Sequence, residues 1–399
     1  MTTCPHELDA ADPLASFRDR FVIDDDLVAY LDGNSLGRLP AATLERLAVF
    51  VREEWGGRLI RGWADSWVDL PATVGDELGA ALLGAAVGQT VVADSTSVCI
   101  YKLLHAASGL RPGRDEIVID ATNFPTDRYL VDSVAAARGM TVRWLEPDLV
   151  ENVTADVLSA AVGERTAVVV LSHVDYRSGT LLDLPGLTGI VHAAGAVVIW
   201  DLCHSAGAVP IELDAAEVDF AVGCTYKYVN AGPGAPAYVY VSRRHLAEAH
   251  QPITGWWSAA DLFAMSDTYE SSPTVRRMLS GTPPVAGILA VQEGVRLIAE
   301  AGVEAVRTKS EALTAYAVEL VDEIGLEVVT PRDPALRGSH VTVRHPDARA
   351  VTDRLVERGV VPDFREPDLI RLGLSPLTTS FAEVSAAARI LAEVVAPIG

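Results

Sequence analysis

Short apolar runs rich in valine and isoleucine recur through the middle of the chain. They read EIVID (116–120), TVRWL (141–145), TAVVVLS (166–172), AVVIWDL (196–202), VDFAVGC (218–224) and AYVYVS (237–242). Between several of them lie stretches with a helical period, at 97–108, 127–138, 154–162 and 186–195. Unbroken apolar strands alternating with helices predict a mostly parallel sheet covered on both faces. VAGILAVQEGVRLIAEAG (285–302) predicts one long amphipathic helix. After it, EVV, HVTVRH and LIRLGLS alternate with further helical stretches. The expected fold class is therefore α/β, a large domain on a parallel central sheet plus a smaller α+β C-terminal domain. The expected divisions are an N-terminal segment over 1–40, packing with the small domain and the site, a large domain over 41–285, and a small domain over 286–399 that includes the long connecting helix.

Composition narrows the class. A chain of 399 residues, 49% of them apolar, can bury a substantial core and is not a disordered polymer. The net charge of −22 argues against nucleic acid or an anionic membrane as partner. Cys4, Cys99, Cys203 and Cys224 show no CxxC spacing, so no metal site is expected and a reducing compartment fits. No window approaches the roughly 20 apolar residues of a membrane span, and the first residues do not read as a secretory signal. A cytoplasmic protein is expected.

In an open α/β sheet, ligands gather at the carboxyl ends of the strands. Polar residues follow the strands here one after another. Asp201 and His204 follow AVVIW, and Thr225, Tyr226 and Lys227 follow VDFAVGC. Asn123-Phe124-Pro125-Thr126-Asp127 follows EIVID, and Ser172 and His173 close TAVVVL. Ser95-Thr96-Ser97 precedes the helix expected at 97–108. Taken singly these are helix caps and strand terminators; together they describe one cofactor, pyridoxal phosphate. Its aldehyde needs a lysine amine (Lys227), and its ring nitrogen needs a carboxylate (Asp201). Its phosphate needs hydroxyls and free amides at a helix start (Ser95, Thr96, Ser97), and its ring needs an aromatic face (Phe124). The glycines in GCTYKYVNAGPG (223–234) allow the backbone to approach such a ligand closely.

A resemblance extends the reading. YLDGNSLG (30–37), DSTSV (94–98), NFPTD (123–127), WDLCHSAGAVP (200–210), CTYKYVNAGPGAP (224–236), GWW (255–257), GTPP (281–284), GSHVTVRHP (338–346) and RLGLSPL (371–377) resemble the kynureninases. These are pyridoxal phosphate enzymes of the aspartate-aminotransferase type, fold type I. The resemblance covers nearly the whole chain. It implies hydrolysis of L-kynurenine at the Cβ–Cγ bond to anthranilate and L-alanine, with Lys227 as the base at Cα. It implies cofactor contacts from Thr96, Ser97, Phe124, Asp127, Ser172, Asp201, His204, Tyr226 and Lys227, with Tyr226 either at the phosphate or transferring protons. Trp256 and Thr282 resemble residues lent by a neighbouring subunit, which implies a homodimer with shared sites. Arg371 resembles the clamp on the substrate carboxylate, Trp63 the aromatic at the aryl pocket, and Asn34 and Ser35 the N-terminal loop near the substrate.

The chain departs from the family pattern at Leu374 and Thr378, where aromatics are more usual nearby, and at Ser258-Ala259 after GWW. The tryptophans of LIRGWADSW (59–67) are also one residue closer than expected. These positions bear on the aryl end of the substrate, leaving kynurenine, its 3-hydroxy form and ring-methylated forms open. Rival readings are an aminotransferase or cysteine desulfurase of the same fold, or a non-catalytic relative. A desulfurase needs a mobile reactive cysteine in the C-terminal part, and the last cysteine is Cys224.

Overall fold

The computed structural model describes residues 4–23 and 26–396, so the outermost residues of the expected N-terminal segment and small domain lie outside the described residues. Seven strands form the large sheet: β1 (Thr90–Ala93), β2 (Glu116–Asp120), β3 (Thr141–Leu145), β4 (Thr166–Ser172), β5 (Val197–Asp201), β6 (Phe220–Gly223) and β7 (Ala237–Val241). Their order is β1-β7-β6-β5-β4-β2-β3. Every adjacent pair from β6 to β3 is parallel, and β7 runs antiparallel to both its neighbours. The central strands β4 to β7 are almost wholly buried because both faces are covered, whereas the edge strand β3 is largely exposed. Val198 and Trp200 of β5 face a layer that includes Leu187 and Leu289, whereas Val197 and Ile199 face one that includes Leu103 and Val131.

Helices α1 (Thr96–Gly109) and α2 (Pro125–Arg138) cover the second of these faces. Helix α3 (Val285–Ala301) buries Ile288, Leu289 and Val295 in the first layer. Helix α4 (Val303–Ile324) follows after a single glycine and buries Leu313 and Val321 in a separate core. That second core is built on an antiparallel sheet of β8 (Glu327–Val328), β9 (His340–Arg344), β10 (Asp363–Arg365) and β11 (Leu369–Gly373), ordered β10-β11-β9-β8. Helix α5 (Phe381–Val395) closes it.

The N-terminal segment joins the small core. Ala29–Tyr30 pairs in parallel with Val360–Val361, Leu31 is buried there, and Asp32 bridges to Gly373 at the end of β11. The same segment then turns back to the large domain, where Gly37 donates its amide to the carbonyl of Tyr226 at 2.8 Å. No helix among the described residues is long and apolar enough to cross a membrane.

Candidate active site

The carboxyl ends of β2, β4, β5 and β6 open onto one cavity. Register explains the convergence. Ser172 pairs with Asp201 and Asp201 with Val222, so three strands deliver their last residues at one level. Lys227 lies on the turn that leaves β6. Its Nζ stands 3.2 Å from His204 Nε2 and 5.9 Å from the ring centroids of Phe124 and Tyr226. Burial first, and then the charge of Lys227, depress the His204 pKa well below its ordinary value. The imidazole is therefore neutral, and its Nε2 accepts from the lysine.

The turn bearing Lys227 is held from two sides. A Cβ on Gly37 would lie 2.2 Å from the Lys227 carbonyl oxygen, and one on Gly294 of α3 would lie 1.8 Å from that of Val229. Only hydrogen fits at either place.

Asp201 is buried at the end of β5 and accepts from the Cys203 amide at 2.7 Å. Asp127, wholly buried in the first turn of α2, has its carboxyl pKa raised well above the usual range by burial and then by the charge of Asp201. The protonated form of Asp127 is thereby favoured. Across the cavity, Ser95 caps α1, and Thr96 and Ser97 begin it. The amides of a first helical turn have no intrahelical partner and favour an anion. The preceding Asp94 adopts φ 43° and is pinned by the fully buried Lys102, whose Nζ meets Asp94 Oδ2 and the Met278 carbonyl, each at 2.6 Å.

Nine residues expected from the sequence line this cavity: Thr96, Ser97, Phe124, Asp127, Ser172, Asp201, His204, Tyr226 and Lys227. Thr126, Tyr176 and Cys203 line it too, although the sequence reading gave them no role. Thr126 and Cys203 lie inside quoted motifs, and Tyr176 comes four residues after β4, beyond the strand-end positions searched. Six expected residues lie elsewhere. Arg371 is buried behind Tyr176, donating Nη1 to that residue's carbonyl at 2.6 Å and Nη2 to Ser35 Oγ at 3.1 Å. Asn34 is buried with both side-chain polar atoms unpartnered among the described residues. Trp63 packs against Trp67 and Trp257, at ring distances of 5.2 and 5.0 Å. Trp256 and Thr282 are exposed and outside the cavity of their own chain.

The residues fit pyridoxal phosphate. Thr96 Oγ1 and Asp127 Oδ2 are buried on the cavity wall with no hydrogen-bond partner among the described residues. Such groups are costly unless something supplies their bonds. One sits at the helix start where a phosphate belongs, the other beside Asp201 where a ring nitrogen belongs. A lysine facing an aromatic, a buried carboxylate at a strand end and a hydroxyl-lined helix start on this sheet define a fold type I pyridoxal phosphate enzyme. Solved structures agree on the fold. A cysteine desulfurase from Thermococcus onnurineus NA1 superposes with a TM-score of 0.84 at 18% identity, covering 95% of this chain and 97% of that one. A C-DES variant with glycine covalently linked to its PLP cofactor gives 0.83 at 19% identity, covering 94% and 98%.

Within that class the sequence is decisive. The model of the kynureninase C-terminal domain matches residues 306–391. The kynureninase of Pseudomonas fluorescens is 42% identical over 97% of this chain and 94% of its own length. The chain belongs to the kynureninase family.

Proposed function

We propose that the chain hydrolyses the Cβ–Cγ bond of L-kynurenine, or of a ring-substituted kynurenine, to release an anthranilate and L-alanine. Bound pyridoxal phosphate supplies an aldehyde that links covalently to amines and a protonated ring that withdraws electrons from the substrate's Cα. The chain's residues do the rest. Thr96 and Ser97 hold the phosphate with the first amides of α1. Burial raises the Tyr226 hydroxyl pKa far above its ordinary value, so it stays protonated and donates to that phosphate. Phe124 would stack on the cofactor's ring, and Ser172, His204 and Thr126 line the same cavity. Asp201 would face the ring nitrogen.

Lys227 would carry the cofactor, and its amine could move the proton at the substrate's Cα. Neutral His204 accepts a hydrogen bond from it and adds no competing charge. Arg371 and Ser35 orient the substrate's carboxylate, Asn34 lies on the same approach, and Trp63 lies toward the aryl end. The observation that carries this reading is the placement of Lys227, Asp201 and the orphaned Thr96 hydroxyl around one cavity.

Trp256 and Thr282, exposed and outside their own chain's cavity, support a homodimer in which each subunit completes its partner's cofactor site. Four free cysteines support a reducing, cytoplasmic setting.

The test is Lys227→Ala. Borohydride should fix the cofactor to Lys227 in the wild-type protein and leave the variant unlabelled. The variant should also release no anthranilate fluorescence from L-kynurenine. Wild-type turnover by the variant would sink the mechanism. Assaying kynurenine beside its 3-hydroxy and ring-methylated forms assigns the substrate.

A further inference from the structure

Two thiols in the cavity floor have no part in this chemistry. Cys203 and Cys224 lie two residues beyond the aligned pair Asp201 and Val222, so they face each other across the turns leaving β5 and β6. The Cys224 amide donates to Cys203 Sγ at 3.2 Å, and the Cys224 thiol reaches the Cys203 carbonyl at 3.8 Å. The sulfur of each cysteine thus meets the backbone of the other. Cys203 lines the cavity, which gives a small oxidant its way in, while Cys224 lies behind it. The two other cysteines differ. Cys99 is buried with its thiol on the Ala93 carbonyl, and Cys4 is exposed.

We propose that Cys203 and Cys224 form a reversible disulfide in the floor of the cofactor cavity, with hydrogen peroxide as oxidant. The Cys203 sulfur takes one peroxide oxygen as the O–O bond breaks, giving a sulfenic acid and one water. The Cys224 sulfur then displaces that hydroxyl, which leaves with the Cys224 proton as a second water. Two thiols are oxidised and one peroxide is reduced. Bonding draws together the turns that carry Asp201 and His204 on one side and Tyr226 and Lys227 on the other. Displacing catalytic groups by about an ångström is enough to lose on the order of a hundredfold in rate.

The test treats the holoenzyme, in a Cys4→Ser background, with hydrogen peroxide, followed by alkylation and non-reducing peptide mapping. A peptide linking Cys203 to Cys224 should appear, kynurenine turnover should fall by about tenfold or more, and dithiothreitol should reverse both. Cys224→Ala should keep its own untreated rate through the same treatment. Peroxide-treated protein with both cysteines alkylated, a cross-link that leaves turnover unchanged, or equal inactivation of Cys224→Ala would each overturn the proposal. Because the cross-link is read by mass, its absence is distinct from any error in the substrate assignment.

Discussion

Arg371 brings five N–H donors to the site, and the folded chain already occupies four of them. Nε and Nη2 donate to Asp363, Nη2 also to Ser35, and Nη1 to the Tyr176 carbonyl. A substrate carboxylate can be gripped by two prongs only if the Ser35 hydroxyl gives up Nη2. The surrounding bonds fix the guanidinium plane, so Lys, which keeps the charge without the fork, cannot fully replace it. Two charge-assisted hydrogen bonds correspond to about 3 kcal/mol or more, roughly a hundredfold in kcat/KM. Arg371→Ala should lose that much with L-kynurenine and Arg371→Lys only part of it, with cofactor absorbance unchanged in both, and a loss below about threefold in either would remove Arg371 from substrate binding. Arg371→Ala should lose stability as well, because it removes the buried partner of Asp363 and leaves only Arg365 Nη2 at 2.9 Å. Beside them, burial pushes the Asp32 carboxyl up to about 6, with Asp363 adding to the shift and Ser35, Arg371 and Arg365 opposing it. A carboxyl raised in the folded state carries no penalty while protonated in both states. The penalty grows as pH rises from about 4 to 6 and is constant above that. Asp32→Asn should therefore stabilise the protein by about 1–3 kcal/mol at pH 7.5 and by little at pH 4. Urea unfolding at both pH values measures this, and an equal effect at the two would assign the change to something other than ionisation.

Helix α3 shows how an element shapes the site without touching its chemistry. Alanine normally stabilises a helix interior over glycine by about 1 kcal/mol. At Gly294 the sign should reverse, because a Cβ would lie 1.8 Å from the Val229 carbonyl oxygen, two residues beyond Lys227. Gly294→Ala should destabilise by about 1–3 kcal/mol, visible as a lower midpoint in thermal unfolding, and should lower kcat as the lysine turn moves. A stabilised, fully active variant would show that the turn yields freely. Elements of this kind were partly legible in the sequence. Buried parallel strands announce themselves as apolar runs, and EIVID, TVRWL and TAVVVLS end where the observed strands end. Strand β1 (Thr90–Ala93) and β10 (Asp363–Arg365) were missed, because three or four residues carry too little pattern. Thr96, Ser97, Phe124, Asp201 and Lys227 were legible because residue type and strand-end position together specify one cofactor, whereas the roles of Asp127, Ser172, His204 and Tyr226 came from the family resemblance. Tyr176 and the Asp363 partner of Arg371 were not, since a loop carbonyl and a cross-strand carboxylate leave no periodic trace.

At the scale of the molecule, the question is what completes the cavity. Trp63 packs on Trp257 at 5.0 Å and Trp257 on Trp256 at 4.7 Å, so a run of rings leads from the expected aryl side to the surface. Trp256 is 40% exposed there, with Phe263, Met265 and Tyr269 exposed nearby along the chain. Exposed apolar groups of this size mark association surfaces, and a closed two-fold dimer is the commonest soluble assembly. If Trp256 serves the partner's site, Lys227→Ala and Trp256→Ala damage different halves of a shared site. A heterodimer of the two variants then holds one cavity with both residues intact and one with neither. Random exchange of equal amounts makes about half the dimers mixed, so the mixture should regain about a quarter of wild-type activity per protomer. Each variant alone should stay far below that value. The measurement is kynurenine turnover after subunit exchange in mild denaturant, with light scattering to follow the assembled mass. Activity no greater than the average of the two variants, in a sample shown to have exchanged, would mean that each chain completes its own site.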